Sequence, residues 1–156
     1  KRTGMDRPMI NVIAVKKDHG ELNSQKPEFT DPEDLFLNVN KIVEAYRYYC
    51  ETHVFKGDAF PNLDINLGAG SMALYLGCEP IFTWETVWFK GYAENGWDEM
   101  PPFRFDPENY WWKKHIEMAV LSKKLAGDDF PVNIPDSVEN VDILSSIRGL
   151  RFSDID

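Results

Sequence analysis

The sequence predicts an α/β fold in which parallel strands alternate with helices. Residues 9–15 and 130–134 are almost continuously β-branched or apolar, which is typical of strands buried on both faces of a parallel sheet. Two other segments open with a capping residue, a proline and an acid, at Asp31 and at Asp106, and continue with apolar residues at helical spacing. Strand-type and helix-type segments follow one another along the chain, and this alternation is the pattern of a parallel α/β fold.

The first third of the chain is predicted to form a strand, a loop, a helix and a second strand. Residues 16–30 follow the first strand and are polar and rich in turn-forming types, so they form a loop. The helix begins at Thr30 or Asp31, either of which can cap it, and runs to about His53 because its apolar residues recur every three or four positions. Residues 60–67 form the second strand, with a single carboxylate among apolar neighbours.

The remaining elements follow from the same signals. The predicted order is a glycine turn at 68–71, a short helix at 72–76, extended pieces within 81–89, a loop at 91–102, a helix from Asp106 to Gly127, a strand at 130–134, and a helix from Asp136 to Gly149.

Composition and charge limit the classes of partner. The net charge is −9 and the pI about 4.8, and basic residues cluster only in pairs, so no basic stripe exists for a nucleic-acid backbone. The two cysteines fit neither a disulfide framework nor a Cys-x-x-Cys metal site, which favours a reduced, cytoplasmic protein. No apolar run approaches the roughly 18 residues of a membrane span, and the basic start lacks the apolar core of a signal peptide.

Asp64 is the first candidate for chemistry. A carboxylate inside an apolar strand is costly unless it is paired or hydrogen-bonded, and the end of a parallel strand faces the usual ligand crevice. Asn66 lies two positions later and therefore on the same face of that strand. The alternative is that both side chains bond only the backbone of the following glycine turn.

Three further residues are candidates for substrate binding. Asp136 follows the third predicted strand. It is either a helix cap or a functional carboxylate at the C-terminal end of that strand, where barrel enzymes keep their catalytic groups. Glu85 and Trp88 lie in a segment that mixes aromatic and polar residues, which is either an exposed strand or a loop closing on a flat ligand. The histidines have no second His or Cys at ligand spacing, so the sequence predicts no metal site in this chain.

Several short motifs occur in a characteristic order: Leu63-Asp64-Ile65, Leu76-Gly77-Cys78-Glu79-Pro80, Thr86-Val87-Trp88-Phe89, Asp106-Pro107-Glu108-Asn109 with Trp111-Trp112, and Asp142-Ile143-Leu144 leading to Arg148-Gly149. In these motifs the chain resembles the uroporphyrinogen decarboxylase superfamily, and most closely its divergent decarboxylase-like relatives. The resemblance spans most of the chain from Phe60 onward.

The resemblance implies an α/β fold of the (β/α)8 TIM-barrel type with parallel strands. Because such a barrel takes roughly 250 residues, residues 1–156 are expected to be a single partial domain, the N-terminal half of the barrel. Such a fragment is expected to be inactive alone, and to associate as a homo-oligomer or with the missing C-terminal half.

The resemblance also implies the chemistry. Family members either decarboxylate a tetrapyrrole without a cofactor or transfer methyl groups between a corrinoid and a thiol using zinc. In the decarboxylases the aspartate matched by Asp64 binds pyrrole N–H groups and stabilises a protonated intermediate, a role that suits a carboxylate facing developing positive charge. This makes Asp64 the expected catalytic residue, and the nominal function that of a carboxy-lyase acting on a tetrapyrrole.

The chain departs from the family at two places. Lys16-Lys17 stands where the decarboxylases carry an arginine-rich motif for substrate carboxylates, and lysine lacks the forked geometry of arginine. Ser145 or Ser146 stands where they carry a tyrosine. Lys16 is therefore a candidate substrate contact, and two alternatives stay open: a corrinoid-dependent methyltransferase, whose complete form would use zinc or a corrinoid, and a non-catalytic α/β binding module.

Overall fold

A computed structural model describes residues 7–18, 20–93, 98, 102–133 and 140–149. Within these residues the elements in chain order are β1 (Asn11–Val15), α1 (Pro32–Leu37), α2 (Val39–Thr52), β2 (His53–Gly57), α3 (Ser71–Tyr75), β3 (Glu79–Phe82), β4 (Val87–Lys90), α4 (Tyr110–Ala126) and α5 (Asn140–Arg148).

The described strands form two separate antiparallel pairs, β1 with β2 and β3 with β4. The predicted parallel sheet of a (β/α)8 barrel is therefore wrong for the described residues, which form a small mixed α/β domain. The predicted helical segments are confirmed in part, because each of them contains at least one helix.

The β1–β2 pair shows that the first predicted strand exists but is not buried on both faces as expected. Residues 11–15 do form a strand, but all five are exposed, including Val15 at 65%. No second layer of the described chain covers this strand, which pairs only with β2 in a register that sets Ile13 opposite Phe55. Asp58 anchors its start by accepting two hydrogen bonds from the Arg7 guanidinium, at 2.6 and 2.8 Å.

The long helix predicted from Asp31 is divided in two at Asn38. Of the two possible caps, Thr30 and Asp31, it is Asp31 that caps α1, accepting the Asp34 N–H at 2.8 Å. Asn38 leaves the helical region, donates its own N–H to the Asp34 carbonyl at 3.1 Å, and accepts the Lys41 N–H at 3.3 Å. Because one asparagine caps the end of α1 and the start of α2, apolar spacing alone could not reveal the break.

Residues 60–67 and 130–133 meet in a single parallel bridge, Leu63 to Val132, rather than in two full strands. The Leu63 N–H donates to the Pro131 carbonyl at 3.0 Å, and the Leu63 carbonyl accepts the Asn133 N–H at 2.7 Å. Pro61 and Pro131 have no N–H to extend this ladder. Ile134, the last residue of the predicted third strand, lies outside the described residues.

The main core lies where α2 and α4 pack with residues 63–67 and α3. Its buried members are Val39, Val43, Leu63, Ile65, Leu67, Leu74, Tyr75, Met118, Ala126 and Phe130. Arg47 on α2 joins the far end of α4, donating to the Leu125 carbonyl at 2.5 Å and to the Asp129 carboxylate at 2.9 Å.

A second, smaller core joins α3, the end of β4 and α5. Its buried residues are Ala73, Cys78, Ala93 and Ile147. The Ile147 carbonyl accepts the N–H groups of Tyr92 and Ala93 at 3.0 and 3.1 Å. A Cβ on Gly91 would lie 2.4 Å from the Gly149 nitrogen, so this close backbone approach requires glycine. Among the described residues, none of the helices has the length and apolar character to cross a bilayer.

Substitution of one buried and one exposed helical valine tests the position of the core. Val43 on α2 is 1% exposed and Val120 on α4 is 65% exposed. We expect Val43→Ala to lower the free energy of unfolding by about 2 kcal/mol, because it removes two buried methyl groups and leaves a cavity. Val120→Ala should change it by less than about 0.5 kcal/mol, with a slight gain from the higher helix propensity of alanine. Urea denaturation of both variants measures the difference, and equal losses would contradict this core.

Candidate functional site

Residues 63–67 separate an apolar face from a polar one. Leu63, Ile65 and Leu67 are 4%, 1% and 0% exposed and belong to the main core. Asp64 and Asn66 alternate with them and are exposed. The side chains of an extended segment point alternately to opposite faces, so both polar residues stand on the face turned away from the core helices.

Asn66 supports the turn that follows. Its Oδ1 accepts the Gly68 N–H at 2.6 Å, an Asx-type turn. Gly68 has a φ of +90°, and a Cβ there would lie 2.9 Å from the Val87 side chain and carbonyl. The turn therefore needs both the asparagine oxygen and a glycine. Asn66 bonds the backbone of the glycine turn, which is one of the two roles that the sequence left open for it.

A buried network of hydrogen-bonded side chains lies on the core side of residues 63–67. His115 on α4 is 2% exposed, and its Nε2 lies 2.9 Å from the Ile65 carbonyl oxygen. A carbonyl only accepts, so Nε2 carries the proton and Nδ1 is an acceptor in the neutral ring. The Tyr75 hydroxyl, 2.5 Å away, then donates to Nδ1. Ser71, also buried, hydrogen-bonds Tyr75 and extends this network to the start of α3.

Burial is the largest influence on the pKa values of His115 and Tyr75 in this network. It lowers the pKa of His115, while the hydrogen bond to the Ile65 carbonyl and the charge of Asp64 act in the opposite direction. Burial likewise raises the pKa of Tyr75, against the effect of Ser71. Asp64 is therefore electrostatically coupled to a buried imidazole that is held neutral.

A cleft of about 490 Å³ lies between the glycine turn, β4 and α5. Trp88, which is 51% exposed, and Phe89 supply its aromatic wall. Asp142, Ser145 and Ser146 supply its polar wall. Trp88 thus lies in a ligand-sized cleft, whereas Asp64 is not among the residues that line it.

The other predicted site residues are dispersed. Lys16 donates its Nζ to the Glu51 carbonyl at 2.6 Å and its N–H to the Thr52 carbonyl at 2.8 Å, so it satisfies the end of α2. Glu85 is exposed in the turn between β3 and β4. Asp136 lies outside the described residues. The structure therefore places Asp64 with Asn66 on one face and Trp88 in a separate cleft.

Sequence reasoning missed Tyr75 and His115. His115 lies in the apolar stripe of the helix predicted from Asp106 to Gly127, and Tyr75 lies in the short helix predicted at 72–76; neither was singled out. The available signal was a histidine inside such a stripe, since a buried imidazole requires hydrogen-bond partners.

Neither the cysteines nor the described acids form a metal centre. Burial raises the pKa of Cys78 to about 11 and also raises that of Cys50, so both thiols are protonated at neutral pH. Among residues 7–18, 20–93, 98, 102–133 and 140–149, no group of three or more His, Cys, Asp or Glu side chains is arranged to hold a metal ion.

Comparison with known proteins provides no relative for this chain. No protein-family model matches it, no curated protein matches it, and no solved structure matches its fold.

The buried histidine predicts a pH dependence of stability. The native pKa of His115 lies below its unfolded value of about 6.5, so below that pH the unfolded chain binds the proton more readily. Stability from this group is complete above about pH 6.5 and is lost as the pH falls. We expect His115→Gln to reduce the slope of unfolding free energy against pH between 5 and 6.5. Urea denaturation at several pH values measures this, and an unchanged slope would contradict a neutral buried His115.

Proposed function

We propose that this chain acts on a tetrapyrrole as a uroporphyrinogen-decarboxylase-like carboxy-lyase, with Asp64 as the residue that meets the substrate. The observation that carries the proposal is the exposure of Asp64 on a segment whose opposite face is fully buried. The sequence motifs around Asp64 and from Leu76 to Trp112 support the choice of substrate class.

The backbone that carries Asp64 is held from both sides. Leu63 is hydrogen-bonded through both its N–H and its carbonyl to the chain around Val132. The Ile65 carbonyl is bonded to His115, itself fixed by Tyr75. A carboxylate on such a support needs little reorganisation to face a ligand, which is the condition for effective electrostatic stabilisation.

The chemistry suits a carboxylate and needs no cofactor. A carboxylate accepts hydrogen bonds from pyrrole N–H groups. It also stabilises the positive charge that a pyrrole ring acquires when a ring carbon takes up a proton. Cleavage of the bond to the substrate carboxylate then releases CO2 and returns the electron pair to the ring. A second proton is added at the side-chain carbon that lost CO2, and the first proton leaves the ring carbon, which restores the pyrrole. Asp64 would act on the charged intermediate and need not transfer either proton itself.

A second candidate function is non-catalytic binding of a flat ligand in the cleft beside β4. The cleft volume of about 490 Å³ and the exposed Trp88 favour it, because ligand sites are concave, largely apolar and have few polar groups. The two candidates use different residues, so they can be separated by mutation.

Titration of the 156-residue chain with coproporphyrin, followed by absorbance, tests both candidates. We expect Asp64→Asn to weaken binding about tenfold or more, because it removes a charge-assisted hydrogen bond while keeping the shape of the side chain. Asp128→Asn, at an exposed acid beyond α4, is the matched control and should leave binding unchanged.

Three other outcomes decide against the proposal as stated. If Trp88→Ala weakens binding and Asp64→Asn does not, the cleft is the site and the second candidate holds. If hydroxocobalamin binds in an Asp64-dependent manner and coproporphyrin does not, the alternative of corrinoid-dependent methyl transfer is favoured. If neither tetrapyrrole binds, tetrapyrrole chemistry is excluded for this chain.

A further inference from the structure

Another cavity, of about 340 Å³, lies apart from Asp64 and from the Trp88 cleft. Met72 and Leu76 on α3 and Trp112 on α4 form its apolar wall. The segment before α4 closes it with three consecutive residues, Phe103, Arg104 and Phe105. None of these residues was predicted to be functional, and none lines the other cleft.

The cavity is part of an aromatic cluster. The Phe105 and Trp112 rings meet edge to face with centroids 5.4 Å apart, and the Trp112 and Tyr75 rings do so at 5.3 Å. The hydroxyl of Tyr75 is engaged by His115, so Tyr75 adds a ring and not a polar group to the cavity wall. These ring arrangements are favourable in themselves and hold Trp112 in place.

Two phenylalanines at this cavity remain largely uncovered. Phe105 is 66% exposed and Phe103 is 48% exposed. Large apolar side chains that are exposed side by side around a concave wall are typical of a binding site. A ligand with an aromatic ring would cover both side chains and the edge of Trp112.

Arg104 supplies a positive charge at this cavity. It is the only charged side chain among the described residues that line the cavity. In the part of the chain that the structure describes, the ion pairs involve other cations and leave Arg104 without an acidic partner. A guanidinium is always charged, and its planar fork matches a carboxylate.

We infer that this cavity binds a small aromatic carboxylate, with the ring against Phe103, Phe105 and Trp112 and the carboxylate on Arg104. The volume lies near the lower end of the range for ligand sites, which indicates a ligand of one or two rings and not a macrocycle. The inference does not depend on the proposed function, because Asp64 would attract N–H donors or positive charge and Arg104 attracts anions.

Isothermal titration of the whole chain with indole-3-acetate, indole-3-acetamide and tryptamine tests this inference. The three probes share the ring and differ in charge, being anionic, neutral and cationic. We expect the anion to bind at least tenfold more tightly than the amide, because only the anion makes a charge-assisted pair with Arg104. The amine should bind no better than the amide.

Variants assign the binding to this cavity. Arg104→Gln should weaken indole-3-acetate binding about tenfold and leave the amide unchanged, whereas Arg104→Lys should retain part of the preference for the anion. Arg148→Gln on α5, an exposed arginine outside this cavity, is the matched control and should have no effect. Phe105→Ala should weaken the anion and the amide alike, and an unchanged urea denaturation curve for each variant shows that the fold is kept.

The inference is overturned by any of three results. These are no heat of binding from indole-3-acetate at millimolar concentration, equal affinity for the anion and the amide, or unchanged anion binding in Arg104→Gln.

Discussion

Leu63, Ile65 and Leu67 pack into the main core with α2 and α4, and the positions of the surrounding elements depend on that packing. The segment that carries them is extended but is not a strand of a sheet in the described structure. Its backbone groups are satisfied piecemeal: the Asn62 N–H by the Tyr46 hydroxyl at 2.5 Å, Leu63 by the chain at 131–133, and the Ile65 carbonyl by His115. Buried backbone groups must find partners, and here side chains of α2 and α4 provide two of them.

This arrangement has direct consequences for the polar face. Once Leu63, Ile65 and Leu67 are buried, an extended backbone must turn Asp64 and Asn66 the other way. Asn66 then reaches the Gly68 N–H and forms the turn into α3, and the turn brings Gly68 and Gly70 against Val87 and Phe89 of β4. The glycines keep the turn and the hairpin in close contact, so the cleft beside β4 follows from the same packing.

The three candidate sites differ in the charge that they offer. Asp64 presents a carboxylate on the polar face, and Asp142 presents one at the cleft wall. Arg104 presents a cation in an otherwise apolar, aromatic cavity. On a chain of net charge −9, an anion is repelled over most of the surface at low salt, so a local guanidinium is needed to hold one. The distribution of charge therefore separates the classes of ligand that each site could take.

Local sequence signals determined most helices of this protein and the turn at Gly68. Capping residues such as Asp31, apolar spacing and helix-ending glycines act over one or two turns of the chain, so they can be read without knowledge of the fold. The chain also showed Asp64 as an unusual carboxylate. Strand pairing, in contrast, joins residues that are distant in sequence, and the apolar run at 9–15 does not reveal whether a second layer will cover it. Only the tertiary structure decided that β1 is an exposed member of an antiparallel pair, that His115 bonds Ile65, and that Met72 and Leu76 form a cavity with Arg104. Each of these depends on contacts between segments tens of residues apart, which no local pattern encodes.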